Sequence, residues 1–149
     1  MTKSLFYTLT AICLTACTLT GTQELNLNKQ LNRYVDAMNE NNTLVYVGLS
    51  HHTVVNHYQN LGDSVFITHF NTQLSGNTFQ YSNPSLKELR KKDNHLEQFI
   101  MLSKYNDSNI ESIDTLYGIS EDGGDNWFFV QNEDYHNKKI NFEKKLFNK

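Results

Sequence analysis

The chain has 149 residues, 38% of them hydrophobic, with 13 Lys and Arg against 16 Asp and Glu for a net charge of −3. That length suits one domain able to bury a core without metal or disulfide, and the mild acidity argues against a polyanion-binding surface or a highly charged disordered chain. Two cysteines are too few for a disulfide scaffold or a cysteine-rich zinc site.

The first sixteen residues read as an address rather than as fold. Lys3 gives a positive start, and the mostly apolar run Leu5 to Leu14 has the length of a signal-peptide core, too short for a permanent bilayer span. Leu14-Thr15-Ala16-Cys17 then resembles a bacterial lipobox. The resemblance implies a diacylglycerol on the Cys17 thiol, cleavage after Ala16 and acylation of the new amino group. Thr18 in place of Asp implies sorting to the outer membrane, on its periplasmic face. The alternatives are an ordinary signal peptide that leaves Cys17 a free thiol, and an uncleaved anchor. Cys13 leaves with the signal peptide, and the mature chain stays mildly acidic, which speaks against a nucleic-acid partner.

Residues 17–24 are polar and small and predict a short tether. Leu27, Leu31, Tyr34, Val35 and Met38 form the stripe of an amphipathic helix over about 25–40, and the polar Asn39 to Asn42 stops it. Leu44 to Leu49 predicts a short helix or turn. Thr53 can cap a further helix ending at Gly62. Asp63 or Ser64 can cap a fourth segment; Phe66, Ile67, Phe70 and Leu74 favour helix there, although Val65, Ile67 and His69 alternate as a strand would. Gly76-Asn77 ends it.

The period then changes. Thr78 to Tyr81 predicts a strand, Pro84 an edge position or bend, and Leu86 to Lys92 a charged second strand. Asp93-Asn94 turns the chain into the strand His95 to Leu102. Asn106 to Asn109 is a loop. Thr115 to Ile119 and Asn126 to Val130 are strands around a Gly-Gly turn. Residues 134–149 carry five lysines and predict a tail, frayed or briefly helical, free to meet anionic headgroups or peptidoglycan. Helices followed by an antiparallel meander make an α+β domain over about 25–133, the helices packed on one face of a curved sheet.

Two stretches carry a family resemblance. One is Arg33-Tyr34-Val35-Asp36-Ala37-Met38 with His51-His52-Thr53-Val54-Val55 and Leu61-Gly62-Asp63 after it; the other is Tyr117-Gly118-Ile119-Ser120-Glu121-Asp122-Gly123-Gly124-Asp125-Asn126-Trp127-Phe128-Phe129-Val130. In this order they resemble small secreted bacterial proteins of the nuclear-transport-factor-2-like superfamily. The resemblance implies a cone, a strongly curved antiparallel sheet wrapped around helices with an apolar pocket inside. Ser120, Asp122, Gly123, Gly124 and Trp127 also fit the Asp-box pattern. That pattern repeats in propellers; here it occurs once, and reads as a structural hairpin in which Ser120 and Asp122 bond turn amides and Trp127 packs back over the turn.

Candidate chemistry is sparse. His51, His52 and His57 cluster in sequence, but His52 and His57 are off the spacing that zinc ligands on one helix face prefer, with Asp63 the only carboxylate nearby in sequence; no metal and no cofactor is expected. In the cone superfamily, cyclases and isomerases use a pocket Asp or His with a Tyr, so the resemblance makes Tyr46, His57, Tyr81 and Tyr117 pocket candidates. Tyr34 lies on the apolar stripe and reads as core, and Asp36 lies off it and reads as solvated. No nucleophile elbow or phosphate loop is present. The expected function is a membrane-anchored, non-catalytic domain that binds a small apolar ligand or an envelope protein. The alternatives are a cyclase- or isomerase-like enzyme and a periplasmic immunity or inhibitor protein.

Overall fold

The computed structural model describes residues 18–74 and 79–147. The predicted signal peptide, Cys17, the Gly76-Asn77 stop and Thr78 lie outside the described residues.

Helix α1 spans Gly21–Asn39 and buries Leu27, Leu31, Tyr34, Val35, Ala37 and Met38. The predicted stripe is its inner face. It starts earlier than the stripe does, because Thr20-Gly21-Thr22-Gln23 is a capping box. The Thr20 hydroxyl accepts from the Gln23 N–H, and the Gln23 side chain accepts from the Thr20 N–H at 2.9 Å. Residues 18–24 are therefore no tether: Leu19 packs against the core and Thr20 caps the helix. Helices α2 (Thr43–Leu49), α3 (His52–Asn60) and α4 (Asp63–Leu74) follow. Gly62 stops α3 at φ +110°. The helical spacing of Phe66, Phe70 and Leu74 prevails over the alternation at 65–69, since Phe70 and Leu74 are the residues α4 buries. No described helix is long and apolar enough to cross a membrane.

Strands β1 (Gln80–Lys92), β2 (His95–Tyr105), β3 (Glu111–Ser120) and β4 (Phe128–Gln131) form one antiparallel sheet in chain order. The architecture is α+β, helices first and an open four-stranded sheet after them. Pro84 does not divide β1 in two. It sits at a bulge: Ser82 pairs with Ser103 and Ser85 with Met101, so two residues of β1 face one of β2, with Asn83 at φ +51°. A proline fits there because β1 is an edge strand and the bulge needs no ladder N–H. A second bulge lies between Leu86 and Leu89.

Both faces of the sheet are covered. On one face α1 approaches so closely that a Cβ on Gly118 would lie 3.3 Å from Leu27 and 3.4 Å from Ile100 and Phe129. Tyr34 stacks on Tyr46 and packs at a tilt against Phe129, both at ring distances of 4.8 Å. The other face is closed by the segment predicted to be a tail. Helix α5 (Asn132–His136) follows β4 directly. Tyr135 stacks on Tyr117 at 3.9 Å, and Phe147 packs on Phe99 and Tyr117. Tyr135, Ile140 and Phe147 are buried. Each face of the sheet thus carries a packed layer, and residues 134–147 belong to the domain. Their apolar positions are too few to show a period, and the groups that tie them down, among them Glu97 and Arg90, are distant in sequence. The free edge of β4 is guarded by a parallel bridge between Ser50 and Phe129, with the His51 N–H donating to the Phe129 carbonyl at 3.0 Å.

Candidate functional site

The register decides where a site can form. The starts of β1 and β3 and the ends of β2 and β4 meet at one end of the sheet, and α4 stands over them. Between lies an open groove of about 770 Å³, lined by His69, Thr72 and Gln73 from α4, Tyr81, Lys104, Asp114 and Gln131 from the sheet, and Glu133 from α5. Lys104 lies 3.9 Å from Asp114 and 4.2 Å above the Phe79 ring. The lining is mostly polar, unlike the apolar pocket the family resemblance implies.

Asp134 organises the inner wall. It is 5% exposed, and its carboxylate accepts from the Tyr58 hydroxyl at 2.9 Å and the Gln73 amide at 3.2 Å, and pairs with His69 Nε2 at 3.1 Å. Burial raises its carboxyl, but the His69 hydrogen bond and charge, with the bonds from Tyr58 and Gln73, outweigh that and hold it below the usual carboxylate range. The Nε2–H of His69 donates to the carboxylate, which fixes the orientation of the ring. His69 also stacks flat on Tyr58, ring centroids 3.5 Å apart. Gln73 continues the network inward, accepting from the Tyr46 hydroxyl at 2.8 Å.

The predicted candidates separate. Tyr81 lines the groove, and burial and then Asp114 push its phenol up to about 12. Tyr46 lies one residue behind the wall; burial raises it, so it stays an O–H donor. His57 is half-buried on α3, edge-on to Tyr58 at 5.0 Å, and does not line the groove. Tyr117 lies on the opposite face of the sheet, where its hydroxyl meets His136 Nε2 at 3.1 Å. Tyr34 is core and Asp36 exposed, in line with the stripe. Sequence reasoning missed His69, Gln73, Lys104, Asp114 and Asp134. His69 and Gln73 are four apart on α4, a spacing that marks one helix face; for Asp134 no local signal exists.

The hairpin has the predicted geometry. The Ser120 hydroxyl donates to Asp122 at 2.8 Å and accepts from the Gly124 N–H at 2.9 Å, and Asp122 accepts from the Asp125 and Asn126 N–H groups. The Trp127 indole donates back to the Gly124 carbonyl at 3.1 Å. Gly124 has φ +98°, and a Cβ there would fall 2.6 Å from Gln23, so the turn is built to receive α1. Every one of these polar groups is used within the protein.

A second cluster arises where α3 meets that hairpin. His51, His52 and Glu121 offer ligand atoms within 4.8 Å of one another; the carboxylate comes from a residue seventy positions away, not from Asp63. The tautomer speaks against a metal. His51 Nδ1 accepts from the Thr53 N–H at 3.2 Å, so the neutral ring carries its proton on Nε2, the atom a metal would need bare. That buried Nε2 has no hydrogen-bond partner, and the Glu121 carboxylate stands 3.6 Å off. Burial, then His52 and His95, push the His51 imidazole from 6.5 down to about 3. Between those values the unfolded chain binds a proton that the folded one refuses. Stability from this group is therefore intact above pH 6.5 and falls by about 1.4 kcal/mol per unit as pH drops toward 3. His51→Asn keeps a helix-capping side chain and removes the titration, so urea midpoints at pH 7, 5 and 4 should fall less steeply than in the wild type. An equal slope in both proteins rules this origin out.

No protein-family model, curated protein or solved structure matches the chain.

Proposed function

We propose that the chain is a cell-envelope lipoprotein, held through acyl chains on Cys17 to the periplasmic face of the outer membrane, whose domain is a diverged nuclear-transport-factor-2-like cone that binds a small ligand without transforming it. The observation that carries the binding reading is the groove beside α4, open to solvent and walled by side chains from six elements. Its Gln73, Gln131, Lys104, Asp114 and Thr72 offer both donors and acceptors, which favours a polar, hydrogen-bonding ligand over a wholly apolar one. Tyr81 and Phe79 supply flat apolar area beside them.

The test is a nuclear magnetic resonance titration of the mature protein with free amino acids, mono- and disaccharides and muropeptides. Shift changes should gather on Thr72, Gln73, Tyr81, Asp114 and Gln131, and Gln73→Ala should weaken a binder about tenfold, the loss of roughly one hydrogen bond. Changes scattered over the surface, or a binder indifferent to Gln73→Ala, would sink the reading. A second reading has its own observation. The buried Asp134 carboxylate orients His69, whose ring lines the groove, the arrangement of a carboxylate-positioned general base. Conversion of a bound probe that His69→Gln stops, while binding persists, would replace the binding reading with that one.

A further inference from the structure

The two ends of the domain differ, and the anchor is at one of them. Only Thr18 separates Cys17 from Leu19, which packs on the core, and Thr20, which caps α1. At no more than about 3.6 Å per residue, Cys17 lies within roughly 11 Å of the cap. Around that cap three segments are tied together. Gln23 donates to the Gly123 carbonyl at 2.6 Å, Asn26 to the Gly124 carbonyl at 3.2 Å, and the Gly123 N–H to the Asn94 carbonyl at 2.9 Å. The N-terminus of α1, the β1–β2 turn and the β3–β4 hairpin therefore form one base. The groove is at the other end, beside Tyr81, which α1's last residue grips through two hydrogen bonds, Asn39 Nδ2 to the Tyr81 carbonyl at 2.9 Å and the Tyr81 N–H to Asn39 Oδ1 at 2.8 Å. The nineteen residues of α1 set the two ends about 28 Å apart.

Resting on the Cys17 anchor proposed above, we infer that this base is the membrane-facing surface: the acyl chains seat it against the lipid headgroups, and the groove opens away from the bilayer. The groove's ligand then arrives from the aqueous compartment or from a structure facing the membrane, not from the lipid that holds the protein. The base has its own chemistry. Glu24, Asp93, Glu121, Asp122 and Asp125 are exposed there against Lys91 and Lys92, with Leu25 exposed among them. An acidic base gains nothing from anionic lipid. Adhesion rests on the acyl chains alone, so mature protein lacking them should leave phosphatidylglycerol-containing vesicles even at low salt.

The test uses the acylated mature protein in phosphatidylethanolamine–phosphatidylglycerol vesicles. The only other cysteine, Cys13, belongs to the signal peptide, so a single introduced cysteine is the sole free thiol. A fluorophore on Asp125→Cys at the base should be quenched by headgroup-labelled lipid several-fold more than one on Ser108→Cys in the β2–β3 loop. Inserting about 20 Gly/Ser residues after Thr18, with an r.m.s. reach of about 25 Å, should erase the difference. An intact mass without acyl chains overturns the anchor and the orientation with it. An acylated protein with equal or reversed quenching overturns the orientation alone.

Discussion

Glu97→Ala is expected to destabilise the domain by about 3–5 kcal/mol, the loss seen when one partner of a buried pair is removed. Glu97 is fully buried in β2. Its Oε1 lies 2.8 Å from His95 Nε2. Its Oε2 accepts from the Tyr135 hydroxyl at 2.5 Å and from the N–H groups of Leu146 and Phe147 at 3.0 and 3.3 Å. Truncation to alanine takes the acceptor from the buried Tyr135 hydroxyl and from the Leu146 N–H at once, and leaves the Phe147 N–H only the Tyr135 hydroxyl. It also loosens the C-terminal segment, leaving Arg90 to hold it by donating to the Leu146 carbonyl at 2.6 Å and lying 4.2 Å over the Phe147 ring. Urea unfolding gives the magnitude. Hydrogen exchange gives the mechanism: the Leu146 and Phe147 amides should lose protection before the sheet does. Glu97→Gln keeps an acceptor oxygen and should lose distinctly less. A loss under about 1 kcal/mol for the alanine variant would show that the segment is held by packing alone.

Trp127→Ala is expected to cost about 3–5 kcal/mol as well, by a different route. Trp127 is fully buried and leaves a large cavity at the foot of α1. The residue also ties the hairpin to the helix, since its backbone N–H donates to Gln30 at 2.6 Å and its indole to the Gly124 carbonyl. Trp127→Phe retains most of the volume and should give up only about 1 kcal/mol for the indole bond. The pair of variants separates a structural hairpin from a binding one. Because hairpin and groove lie at opposite ends of α1, Trp127→Phe should leave the groove resonances of Gln73, Tyr81 and Asp114 in place. A groove that shifts with Trp127→Phe would contradict the separation of the two ends.

Local patterns carried much of the fold. The stripe from Leu27 to Met38 is a helix because its apolar residues recur at the helical period and one face of α1 can be buried whole. Ser120 to Trp127 is a tight turn because Ser120 and Asp122 accept from the Gly124, Asp125 and Asn126 amides within eight residues. Thr20 to Gln23 was equally legible as a capping box and passes for a tether only when composition is read before spacing. The C-terminal segment was not legible. Tyr135, Ile140 and Phe147 are too widely spaced to form a stripe, and their burial depends on a carboxylate near the start of β2.

The candidate site was legible in still smaller part. Tyr81 reached the groove; His57 and Tyr117 did not, because the face on which a residue lands depends on how α3 sits and on the register of β3. By itself the sequence determined the α+β order of elements, the hairpin, the proline-bearing edge strand and the expectation of a lipidated Cys17, all carried by short runs whose physics is local. Only the tertiary structure decided which polar groups meet. Asp134 finds His69 from sixty-five residues away, Glu97 finds the backbone of Leu146 and Phe147 across forty-nine and fifty, and Glu121 comes to His51 from seventy. Apolar periodicity says which side of an element is buried. It does not say which partner waits there, and a buried carboxylate or imidazole takes its role from that partner.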